Sequence, residues 1–166
     1  VPNVRMLEQV DGATYRERMT ELLRDLADPV VMVHEDGADR VLAEELVVAS
    51  GRDLDIVVAT DPLQAKAWIQ GAGGVIASRY HALVAALDAG IPAVGTGWSH
   101  KYEALFEEFE APDLLIRDMK PTSWRQALDA RQAPHPLAPG HARRVAATQE
   151  MWRQVRALAP LSGQAA

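Results

Sequence analysis

No cysteine occurs in the 166 residues. Disulfide bridges and thiolate-bound metals are therefore excluded, and the chain suits a reducing compartment, so a cytoplasmic location is expected. Aromatic residues are scarce at 5%, which leaves little material for a broad protein-docking surface. Long apolar runs are missing too: none approaches the ~20 residues needed to span a bilayer, and no signal-peptide pattern is visible. An excess of positive charge is also lacking. The net charge of −6 argues against nucleic acid as a partner, because a polyphosphate binder needs a basic face. The chain opens on Val1 rather than Met, and the expectation is a piece of something longer.

What is present is a globular balance, with 48% apolar and 24% charged residues, at a length that fits one ordinary domain. Along the chain, short apolar runs alternate with helical patterns. "YRERMTELLRDLA" places Met19, Leu22, Leu23 and Leu26 at amphipathic helical spacing. "PVVMVHED" predicts a strand ending near His34, and "ADRVLAEELVVASG" a helix closed by Gly51. "DIVVAT" predicts a second strand, and Asp61 followed by Pro62 is a helix-start pair. "GVIAS", "YHALVAALDAG", "IPAVGTG" and "HKYEALFEEFE" continue as strand, helix, strand and helix. "DLLI" (113–116) is a candidate fifth strand, and "TSWRQALDA" a helix capped by Thr122 or Ser123. There is no internal repeat.

Strands that are apolar throughout, alternating with helices, predict a doubly wound α/β domain with a mainly parallel sheet covered on both faces. The expected division is an α/β domain over 1–130 and a Pro-rich connector over 131–140. A C-terminal helix and tail over 141–166 follow, with Met151, Trp152, Val155 and Leu158 on one helix face. That face is expected to pack on the domain or on a missing partner domain.

In such sheets ligands sit beyond the carboxyl ends of the strands, against helix N-termini that favour anions. This chain puts His34 at the first such end, Thr60 and Asp61 at the second, Ser78, Arg79 and His81 at the third, and Thr96, Trp98, Ser99, His100 and Lys101 at the fourth. Ser78, Thr60 and Asp61 read first as caps, His34 equally well as a turn residue, and Lys101 as a surface charge. Arg79 and His81 differ. An arginine at a helix start opposes the helix dipole unless an anion is near, so a phosphate or carboxylate site is expected there. "GTG" (95–97) lacks the third glycine of a dinucleotide fingerprint, and no cluster has metal-ligand spacing.

The stretch "VIASRYHALVAALDAGIPAVGTGWSHKYEALFEEF" resembles the signature of the polysaccharide pyruvyl transferase family. The matching residues are Arg79, His81 and Ala82, then Gly90, Ile91 and Pro92, then Trp98 and Lys101, and the likeness extends over roughly 15–115. Tyr80 departs from the aliphatic residue usual there, and Trp98-Ser99 replaces a commoner Tyr-Asp. The resemblance implies a Rossmann-like, donor-binding carboxyl-terminal half of a GT-B-type enzyme whose N-terminal, acceptor-binding domain is missing. It implies transfer of a pyruvyl group from phosphoenolpyruvate to a polysaccharide sugar, forming a ketal with no metal or other cofactor. The expected partners are that anionic donor and a glycan acceptor, with self-association of the exposed cleft face as a further expectation. Arg79 would grip one anionic group in bidentate fashion, Lys101 neutralise the phosphate, and His81 donate the proton to the methylene carbon. His34, Ser78 and His100 would assist binding. Two alternatives stay open: the nucleotide-sugar-binding half of a GT-B glycosyltransferase, and a non-catalytic module that holds an anion or a partner.

Overall fold

The computed structural model describes residues 1–34, 37–118, 120–130 and 139–158. The chain order is α1 (Met6–Gln9), α2 (Gly12–Asp25), β1 (Val31–His34), α3 (Gly37–Ser50), β2 (Ile56–Ala59), α4 (Pro62–Gln70), β3 (Val75–Ala77), α5 (Tyr80–Asp88), β4 (Ala93–Gly95), α6 (His100–Glu108), α7 (Pro121–Asp129) and α8 (Pro139–Leu158). The fold is therefore α/β, with strands and helices alternating as the apolar runs predict. The helix starts follow local chemistry. Asp11 accepts from the amide of Thr14 and opens α2 three residues before the predicted start; Asp61 accepts from Leu63 and Gln64 and opens α4 as expected.

The helix ends are equally legible. Gly51 follows α3 at φ 70°, the left-handed conformation that terminates helices. Two arginines cap neighbouring helices: Arg24 of α2 donates to the carbonyls of Ala49 and Ser50, and Arg52 donates to Leu23, Arg24 and Leu26. These guanidinium groups satisfy carbonyls that the last helical turn leaves unpaired.

The sheet departs from expectation. β1 pairs in parallel with β2, and β3 in parallel with β4, as two separate two-strand ribbons. No ladder joins β1 to β3, so one continuous doubly wound sheet is not formed by these residues. The predicted fifth strand is reduced to one parallel bridge between Leu115 and Gly95. Pro112 turns the preceding residues into a 3₁₀ turn, Pro112–Leu114. α7 starts two or three residues earlier than a cap at Thr122 or Ser123 predicts, because Pro121 takes its first position with Lys120 at the N-cap. The Ser123 hydroxyl turns to Asp118 instead.

Tyr15, Val33, Leu83, Val94, Phe106 and Trp124 are fully buried and join one core across both ribbons. The "GTG" glycines have a packing reason. A Cβ on Gly95 would lie 2.4 Å from the Phe106 ring, and one on Gly97 2.1 Å from that of Tyr102, so α6 sits directly on the backbone after β4. The expected connector lies mostly outside the described residues. The described side chains of α8 are exposed, including Met151, Trp152 and Val155, and Leu158 lies outside those described. No described helix is long and apolar enough to cross a membrane.

Candidate functional site

The carboxyl ends of β1 and β3 lead into a polar centre built around Asp39. This aspartate lies in the first turn of α3 and is 0% exposed. Its Oδ1 accepts from the amide of Val4 at 2.8 Å, and its Oδ2 accepts from Arg79 Nε at 2.6 Å, with Arg79 Nη2 paired to the same oxygen. Arg79 is the N-cap residue of α5 and remains 24% exposed. The anion that compensates an arginine against the helix dipole is thus, in part, the protein's own carboxylate. Holding one edge of a guanidinium also fixes where its plane points.

Around Arg79 stand the imidazoles. His34 ends β1 and is half-buried; His81 is exposed in the first turn of α5, its ring edge-on to Tyr80 with centroids 5.9 Å apart. Partial burial, then the cations of Arg79 and His81 against the opposing pull of Asp39, hold His34 below the usual imidazole range. His34, Arg79, His81 and Asp39 therefore share one electrostatic neighbourhood.

Lys101 joins it through an aromatic cup. Its Nζ lies 5.1 Å from the Tyr80 ring centroid and 5.4 Å from that of Tyr102, within cation–π reach of both. Tyr80 and Tyr102 meet edge to face at 5.7 Å, and Trp98 lies 5.7 Å from Tyr102. Tyr80 and Trp98, the departures noted from the resembling signature, thus converge on one ring. His100 is exposed beside Lys101 at the start of α6.

The helix starts at this centre leave their first amides without a side-chain acceptor, as those of α1 and α7 also do. Asp61 caps α4, whereas neither α5 nor α6 has a side-chain cap. At the N-cap of α6, Ser99 Oγ is buried with no hydrogen-bond partner. Uncapped amides carry partial positive charge and accept an anion readily.

Ser78 is placed otherwise than its neighbours. Its hydroxyl is buried between Tyr15 Oη at 3.0 Å and Thr96 Oγ1 at 2.6 Å. Its carbonyl accepts from Asn3 Nδ2 and Tyr102 Oη, and its amide donates to the carbonyl of Val1. Ser78 thus anchors the loop that presents Arg79. Sequence reasoning missed Asp39, Tyr102 and the hydroxyl chain. A first-turn aspartate looks like any favourable helix start, and its partner lies 40 positions away.

The model of the family described as polysaccharide pyruvyl transferase matches residues 10–100. The chain belongs to that family. The matched region holds His34, Ser78, Arg79, His81 and His100, while Lys101 lies one residue beyond it. This is an enzyme family, so the polar centre stands in the region that defines family membership. No curated protein and no solved structure matches the chain.

Proposed function

We propose that this domain is the donor-binding half of a GT-B-like pyruvyl transferase, holding phosphoenolpyruvate at the carboxyl ends of β3 and β4. The observation that carries the reading is the convergence of Arg79, Lys101, His34 and His81 on the uncapped start of α5. Phosphoenolpyruvate bears a carboxylate and a phosphate on one small carbon frame, and such a ligand needs separated cations together with open helix amides. In this reading Arg79 takes one anionic group and Lys101 the other.

The chemistry follows from that placement. His81, exposed on the first turn of α5, gives its proton to the methylene carbon, and C2 becomes an oxocarbenium centre. A sugar hydroxyl adds to C2 and releases its proton. Loss of inorganic phosphate regenerates the cationic centre, and a second hydroxyl of the same sugar closes the ketal with release of its own proton. One donor and two hydroxyls thus give one ketal and one phosphate. A positioned proton donor contributes on the order of 10²–10⁴-fold to such a step. His34, held neutral by burial and by Arg79, suits acceptance of a hydroxyl proton. The glycan acceptor would enter from the N-terminal domain of the full enzyme.

Calorimetric titration of phosphoenolpyruvate tests this against Arg79→Lys, which keeps a charge beside Asp39 but loses the guanidinium fork. Arg79→Ala is the poorer choice, because it strands a buried carboxylate. Binding weakened at least tenfold in the lysine variant supports the reading. Equal binding in both would leave Arg79 as a structural counter-ion of Asp39, the arrangement expected of a module without turnover. Binding of a nucleotide sugar with silence toward phosphoenolpyruvate would assign the domain to sugar transfer instead.

A further inference from the structure

Between the two ribbons lies an apolar cleft of about 1040 Å³. Met32 of β1 and Ile76 of β3 stand on opposite walls, Leu22, Leu26 and Leu128 are among the apolar residues that line it, and Val1 borders it. The walls are strand edges. Val31 donates to Asp55 on the β2 side of β1, and Val75 donates to Pro92 on the β4 side of β3. By the alternation of a strand, the backbone groups of Met32 and Ile76 point the other way. Two parallel edges thus face one another across apolar space, an arrangement that proteins normally cover or pair.

At one end of the cleft the pairing has already begun. The nitrogen of Val1 donates to the carbonyl of Ile76 at 2.7 Å, and Ser78 returns a bond to the carbonyl of Val1 at 3.1 Å. These two bonds straddle Ala77 in the pattern of a parallel ladder. The direction is thereby set: a segment lying in the cleft and leading into Val1 would run the same way as β1 and β3.

We infer that the cleft is the seat of one further parallel β-strand. Its occupant is an extended, β-branched apolar segment of about five residues, paired with Met32 on one side and Ile76 on the other and continuous with the nitrogen of Val1. A strand flanked by parallel partners and covered by helices on both faces is apolar throughout, which matches the lining. The resulting order is β2, β1, the new strand, β3, β4 and the Leu115 bridge. Numbered along the chain this is 3-2-1-4-5-6, the order of doubly wound dinucleotide-type sheets, with strand 1 the one supplied. The Val1 nitrogen agrees: as an amine it is buried and held down to about 5 by desolvation, whereas a peptide N–H at that place carries no charge to bury. The inference concerns the sheet and stands whether or not the donor is phosphoenolpyruvate.

The test compares three proteins: the chain as given, the chain with a five-residue Val/Ile leader ahead of Val1, and one whose leader carries Pro and Lys at alternate positions. Amide hydrogen exchange at Met32 and Ile76 is read by NMR on monomeric fractions from size exclusion, beside urea unfolding. The Val/Ile leader should slow exchange at both amides at least tenfold and raise the urea midpoint, while the interrupted leader should behave as the unextended chain. Equal exchange in all three proteins, equal protection by both leaders, or a Val/Ile form that only associates would overturn the inference. Protection in the unextended chain that fades on dilution would overturn it too, by giving the cleft to a second copy.

Discussion

Asp39 concentrates the energetics of the site in one buried carboxylate, and its two acceptor atoms serve different masters. One oxygen holds the N-terminal arm through Val4 and the other holds Arg79. Removing one partner of a buried ion pair typically costs 3–5 kcal/mol. Asp39→Ala should therefore lower the urea-derived unfolding free energy by about that amount, and Arg79→Lys by distinctly less; equal losses would mean that the fork geometry, not the charge, is what Asp39 requires. Acid acts on the same neighbourhood. His34 and the Val1 amine both have folded values below their unfolded ones, so the unfolded chain binds more protons. Stability from these groups is complete above pH 8 and declines as pH falls, through 8 toward 5 for the amine and below the ordinary imidazole range for His34, by ~1.4 kcal/mol per unit of displacement. Urea unfolding between pH 8 and 5 should show this decline, and acetylation of Val1 should abolish the amine's share. A profile flat over that range would refute both assignments.

At the scale of elements, α5 and α6 end in the same hydrogen-bond pattern with different residues at the critical place. After α5, Gly90 at φ 71° donates to Leu87 and Ile91 donates to Ala86; after α6, Glu110 at φ 56° donates to Glu107 and Ala111 donates to Phe106. A glutamate in the left-handed region carries a steric cost of roughly 1–2 kcal/mol that glycine avoids. Glu110 also pairs with Arg143 of α8 on the exposed surface, an interaction worth ~0–1 kcal/mol. Glu110→Gly should thus raise the unfolding free energy by about 0.5–1 kcal/mol in chemical denaturation, and a loss of stability would show that the tether to α8 outweighs the strain. These termini also mark how far the sequence can be read. Asp61-Pro62 and Gly51 announce their helix ends because the signals are local. The Pro121 start of α7 is an equally local signal, but it competes with the adjacent Thr122 and Ser123, which are stronger cap formers. Arg79 stood out because its charge opposes its helix. Its carboxylate, and the hydroxyl chain from Tyr15 through Ser78 to Thr96, join residues 18 to 63 positions apart, and no local spacing reveals such contacts.

The whole molecule divides between a packed α/β body and an α8 whose described side chains lie in solvent. Among the described residues, apolar burial, the dominant folding term, resides in those up to about Leu128. A chain ending at Ala130 should keep its thermal midpoint within ~2 °C of the full chain in calorimetry; a fall of ten degrees would place core contacts beyond that point. The alternation of strand and helix was legible because short apolar runs between amphipathic helical patterns have few other solutions. The gap between the ribbons was not, since each strand is correct in itself and the pairing of strands distant in sequence leaves no mark in the residues around them. Trp98, finally, makes the site optically self-reporting. Its indole rests against the Tyr102 ring over which Lys101 is poised, so an anion that draws the ammonium away alters the field at a native fluorophore. Ligand entry should be visible as a change in emission that Trp98→Phe removes, with no dye attached and no turnover required.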